Sequence, residues 1–121
     1  GVGSYGELRG LDARTGQRLW TSPDLTFQGR WASAVLVQHQ DRYFVNNEEG
    51  FLILAQFTPT GYVELGRTRL LAPTSRSGTR TPHGRIGERL VNWAHPAYAN
   101  GHIVHRNDEE IIRASLTAAD Y

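Results

Sequence analysis

The chain has 121 residues, 39% hydrophobic and 21% charged, with a formal net charge of +1. That length carries one domain with a modest core, and the near-neutral balance gives no electrostatic case for nucleic acid or a membrane surface. The absence of Cys removes disulfides, thiolate chemistry and Cys-type zinc sites, and no run of about 18 apolar residues exists to span a bilayer.

All 13 basic residues are Arg. The chain begins Gly1-Val2-Gly3, with neither Met nor a leader signature, and is read as having lost an N-terminal part.

Strand signals dominate in chain order. At most three strands precede Trp31, where Gly10-Leu11-Asp12-Ala13-Arg14-Thr15-Gly16 carries turn chemistry. Ala34–Gln38, Arg42–Asn46, Phe51–Phe57, Tyr62–Leu65, His102–His105 and Ile111–Leu116 follow, short and rich in Val, Ile, Leu, Phe and Tyr. Polar or Gly-containing turns separate them, among them Asn47-Glu48-Glu49-Gly50, Asn100-Gly101 and Asn107-Asp108-Glu109-Glu110. No window holds a 3.6-residue apolar period, so helices are not expected. Phe51-Leu52-Ile53-Leu54 is apolar on both faces and calls for cover on both sides, as in a stack of sheets.

The chain also aligns with itself. Gly10–Gly16 matches Ala55–Gly61, Asp41–Val45 with Asn47-Glu48-Glu49 matches Gly101–His105 with Asn107-Asp108-Glu109, and Trp31–Ala34 matches Trp93–Pro96. The offsets agree if the second unit carries an extra loop of about 15 residues, and a four-stranded unit of about 45 residues is a propeller-blade period. Pro73–Arg89, rich in Ser, Thr, Gly, Pro and Arg, is the natural place for that loop.

Gly10-x-Asp12-x-x-x-Gly16-x-x-x-Trp20 resembles the tryptophan-docking repeat of the pyrroloquinoline quinone (PQQ)-type β-propellers, usually Ala-x-Asp-x-x-x-Gly-x-x-x-Trp. Arg42–Tyr62 and Val91–Leu116 are similar to strands of the last blades of secreted bacterial PQQ-like proteins. The repeat degenerates further on, where Ala55 and Gly61 match but Phe57 replaces the Asp and Leu65 the Trp.

The resemblance implies an all-β fold, a partial β-propeller of about two and a half antiparallel four-stranded blades. Blades would end near residues 30 and 72, with the inserted Arg-rich loop at 73–89 and a last blade at 90–121. It also implies structural roles for the docking residues. Gly10 leaves room for an aromatic ring, Asp12 accepts from turn N–H groups, Gly16 takes a positive φ, and Trp20 staples one blade to the next.

The function so implied is a non-catalytic protein-binding or scaffolding segment of a larger extracytoplasmic assembly, periplasmic or secreted, with protein as partner and no cofactor in this segment. The alternative is the C-terminal fragment of a PQQ-dependent alcohol or sugar dehydrogenase, which would bring PQQ and Ca²⁺. The catalytic and metal-binding motifs of those enzymes do not map onto this chain, and the non-enzyme reading is preferred.

Other candidates come from composition. Arg76, Arg80, His83 and Arg85, flanked by Arg67, Arg69 and Arg89, make a possible contact for a partner or an anionic surface, against the simpler reading of a solvated insertion. No aromatic residue lies between Arg69 and Arg89, so single-stranded nucleic acid has no stacking platform there. Trp93 and His95 are expected to face a propeller channel. His102 and His105 fall on opposite faces of a strand and make no chelate, and with His39 and His83 they read as ordinary histidines. Glu48-Glu49 and Asp108-Glu109-Glu110 read as solvated hairpin tips.

Overall fold

The computed structural model describes residues 1–86 and 88–118, with the backbone alone at 79–81 and 84–86. Among the described residues every regular element is a β-strand, and no helix is long and apolar enough to cross a membrane.

The first sheet is the antiparallel pair β1 (Leu8–Leu11) and β2 (Arg18–Ser22). The second is a meander of β3 (Ala34–His39), β4 (Arg42–Asn47), β5 (Phe51–Thr58) and β6 (Gly61–Arg69), hydrogen-bonded in chain order. Four short strands follow: β7 (Ser75–Arg76), β8 (Thr79–Thr81), β9 (Gly84–Ile86) and β10 (Leu90–Val91). The third sheet is β11 (Ala97–Ala99), β12 (His102–Arg106) and β13 (Ile111–Ser115). Its first turn is set locally, since Asn100 and Gly101 both take positive φ (50° and 69°), the two-residue geometry that matches strand twist.

The segment 73–89, expected as an inserted loop, is built of strands. Arg76 pairs with Leu90 and Thr79 with Ile86, so β7–β10 nest into one irregular hairpin with its tip at Pro82-His83. Composition hid it because a ladder needs only backbone N–H and C=O groups, and few of these side chains are apolar enough to mark strands. Among the described residues thirteen strands therefore stand where two and a half four-stranded blades would supply ten.

The second sheet is covered on both faces. On one, Val45, Ile53 and Ala55 have no exposed surface and pack with Leu8 and Leu25, fringed by Trp20, Leu36, Tyr43 and Phe57. On the other, the alternate residue Phe44 stacks on Tyr98 of the third sheet with ring centroids 5.6 Å apart. Fully burying a Leu or Ile side chain stabilises by roughly 1.5–3 kcal/mol. A core of five such small and medium residues is modest, so the polar contacts between sheets carry a real share of the stability.

Candidate functional site

The alternation that buries Val45 on one face turns Asn46 toward the third sheet on the other. There the Tyr98 hydroxyl donates to Asn46 Oδ1. One residue further, Asn47 builds the turn. Its Oδ1 accepts from the N–H groups of Glu49 and Phe51, and its Nδ2 donates to the Leu25 carbonyl at 3.0 Å.

That turn drives Glu48 inward, to 1% exposure. Its carboxylate takes Arg89 bidentately, with Nε to Oε1 at 3.0 Å and Nη2 to Oε1 at 2.8 Å and to Oε2 at 3.2 Å. Oε2 also accepts the Trp93 indole N–H at 2.8 Å. The Arg89 guanidinium lies 4.6 Å from the Phe27 ring centroid and donates to the Arg30 carbonyl at 2.9 Å. A buried carboxylate is tolerated only when paired and hydrogen-bonded, and Glu48 has both.

Trp93 also lines a partly open cavity of about 130 Å³, walled by Asn46, Glu48, Asn92, His95 and His105 among others. Two buried polar atoms on its wall residues have no partner among the described residues, Asn46 Nδ2 and His105 Nδ1. His105 Nε2 lies 3.0 Å from the Ala94 carbonyl and donates to it, which leaves Nδ1 as the ring nitrogen without a partner.

On the solvent side of Trp93 an open groove of about 410 Å³ is lined by Trp31, Ser33, Arg76, Ser77, Gly78 and Trp93. Groove and cavity share Ser33 and Trp93 as walls. Trp31 sits there with φ at 64°, a conformation bulky residues rarely adopt. The Arg30 guanidinium lies 4.8 Å from its ring centroid.

The docking residues stand elsewhere, on the first hairpin. Trp20 Nε1 donates to the Thr58 carbonyl of the second sheet at 2.8 Å. A Cβ at Gly10 would lie 2.3 Å from that indole, so even Ala would displace the ring. Asp12 Oδ1 accepts from the Arg14 and Thr15 N–H groups at 2.8 and 3.3 Å, and Gly16 has φ at 73°. All four residues act on one turn and one contact between sheets.

The arginines do not form one cluster. Arg67 and Arg69 lie on β6, where Arg67 pairs with Glu64 and Arg69 donates to the Glu49 carbonyl. Arg76 pairs with Glu88 at 3.0 Å, and Arg89 belongs to Glu48. Arg80 and Arg85 oppose each other across β8 and β9, but their side chains lie outside the described residues. His83 is exposed at the hairpin tip.

Of the pair expected to face a channel, Trp93 lines both groove and cavity and His95 lines the cavity. Glu48 corrects the reading of its turn as a solvated tip. Sequence reasoning passed over Asn46 as a site residue, read His105 as an ordinary histidine and placed Arg89 in the Arg-rich loop rather than beside Glu48, although the alignment of Trp31 with Trp93 marked the region.

Among the described residues no group of three or more His, Asp or Glu side chains is placed to hold a metal ion. Glu48, already neutralised by Arg89, is not arranged as a Ca²⁺ ligand. No protein family model, curated protein or solved structure matches this chain.

Proposed function

We propose that this chain is a partial β-propeller of the PQQ-like kind, acting as a non-catalytic protein-binding or scaffolding segment of a larger extracytoplasmic assembly. On this reading the second sheet is a whole blade, the third a blade short of its outermost strand, and the first hairpin the outer half of another. Trp20, reaching Thr58, is the staple between two of them. The extracytoplasmic assignment rests on the resemblance of the Gly10–Trp20 repeat.

One observation carries the proposal. On the second sheet β6 covers the outer edge of β5, whereas among the described residues nothing pairs with the corresponding edge of β13. Ile111 on that strand is 72% exposed. An unpaired edge with an exposed β-branched residue is a template for a further strand, and the occupant proposed is an extended segment of another polypeptide in the assembly.

Hydrogen exchange of the chain, alone and in its native assembly, tests this. The β13 amides should exchange readily in the isolated chain and be protected in the assembly, and Ile111→Lys should abolish that protection without lowering the melting temperature. Equal exchange of β13 in both states would refute strand addition.

A further inference from the structure

We propose that the groove between Trp31 and Trp93, with the polar cavity that Trp93 also lines, is a binding site for a neutral saccharide. The groove's volume of about 410 Å³ falls within the ~300–1,000 Å³ of small-molecule sites. Trp31 and Trp93 are 41% and 42% exposed. A single exposed tryptophan needs no explanation, but these two wall one groove and each is fixed in place. Trp31 is held by a left-handed backbone, the kind of local strain that collects at ligand clamps, and Trp93 is tethered through its indole N–H to Glu48.

The cavity adds the polar half. Asn46 and His105 are 5% and 3% exposed, and their unpartnered atoms are an amide N–H₂ donor and a ring nitrogen. Buried polar atoms demand partners, and a hydroxyl can serve both. The cavity's 130 Å³ equals about four water volumes at ~30 Å³ each, room for a hydroxyl-bearing arm.

Charge narrows the ligand class. Arg89 is neutralised by Glu48 and Arg76 by Glu88, so nothing in the site calls for a phosphate. The Arg30 guanidinium over the Trp31 ring disfavours an ammonium group there. A proline-rich peptide docks by accepting an indole N–H, but that of Trp93 is taken. What fits is a ring with an apolar C–H face for indole and hydroxyls for the cavity.

The test is titration of the full chain with glucose, N-acetylglucosamine and cellobiose, read by tryptophan fluorescence and calorimetry, with adenosine as control. At least one saccharide should saturate in the millimolar range. Ser33→Phe, which fills the groove from an exposed position, should weaken it by at least about tenfold with an unchanged melting temperature. Trp31→Gly should weaken it similarly while relieving the backbone. If Trp31→Gly fails to fold, Ser33→Phe decides alone. No saturable binding by the unaltered chain would leave the cavity to ordered water and overturn the proposal. So would affinity unchanged by both variants, or adenosine binding in place of the sugars.

Discussion

The turns at 46–50 and 106–110 begin alike and end in different environments. Asn47 and Asn107 do the same work. Each Nδ2 donates at 3.0 Å to a carbonyl arriving from an earlier part of the chain, Leu25 or Ala72, and each Oδ1 accepts two turn N–H groups. The next residue separates them. Glu48 is sealed under Arg89 and Trp93, while Asp108 is exposed and accepts from the hydroxyls of Thr74 and Ser75.

Two residues on, the contrast repeats. At Gly50, φ is 86° and an added Cβ would lie 1.8 Å from the Leu71 carbonyl oxygen, because the chain leaving β6 bonds back onto the Gly50 carbonyl. Glu110, its counterpart, is exposed. One local program builds both turns, and what passes over each decides which residues it can hold.

The largest effect should separate the two acids. Arg89→Ala leaves Glu48 charged and unpaired at 1% exposure and should cost about 3–5 kcal/mol in urea unfolding. Asp108→Ala should leave the unfolding midpoint nearly unchanged, as surface changes usually do. A small Arg89 effect would mean that the pair is not what holds the 89–93 segment down. Gly50→Ala comes next. Forcing a side chain into a positive φ costs roughly 1–3 kcal/mol before the overlap with Leu71 is counted, whereas Glu110→Ala should be near neutral.

The asparagines test the likeness rather than the difference. Asn47→Ala should destabilise by about 1–3 kcal/mol, since it leaves the carbonyl of buried Leu25 without a partner, and Asn107→Ala in the same direction but by less, since Ala72, Glu109 and Glu110 are exposed. Values that diverge by much more than that range would show that the two turns are not equivalent.

The smallest effect is acid sensitivity at Asp108. The Ser75 and then the Thr74 hydroxyl bonds hold its carboxyl below the usual Asp range. A depressed folded-state value contributes stability that is complete above the ordinary Asp range and is lost as pH falls through the depressed one. Ser75→Ala should move the Asp108 titration, followed by NMR, back toward the ordinary range.

Much of the fold was legible in the residues. The first three strands of the second sheet are present at nearly the expected bounds, because apolar runs broken by turn residues are a local signal, whereas β6, expected at Tyr62–Leu65, runs on to Arg69 through polar residues. The Asn100-Gly101 turn and the Asp12 turn were equally readable, since their chemistry closes within a few residues. The hairpin at 75–91 was not, because its ladder is backbone pairing between side chains that favour loops. Glu48 was misread for a related reason. Its partners Arg89 and Trp93 lie 41 and 45 residues away, and Tyr98 reaches Asn46 across 52.

By itself the sequence determined that this protein is all-β and where its main turns fall. Both follow from strand period, φ preference and hydrogen bonds made over a few residues. Only the tertiary structure decided that one of two matching acids is buried in an ion pair and the other meets water, and that Trp31 and Trp93 wall one groove. The burial of a charge or the meeting of two rings depends on which distant segment packs over them, and no local pattern encodes that.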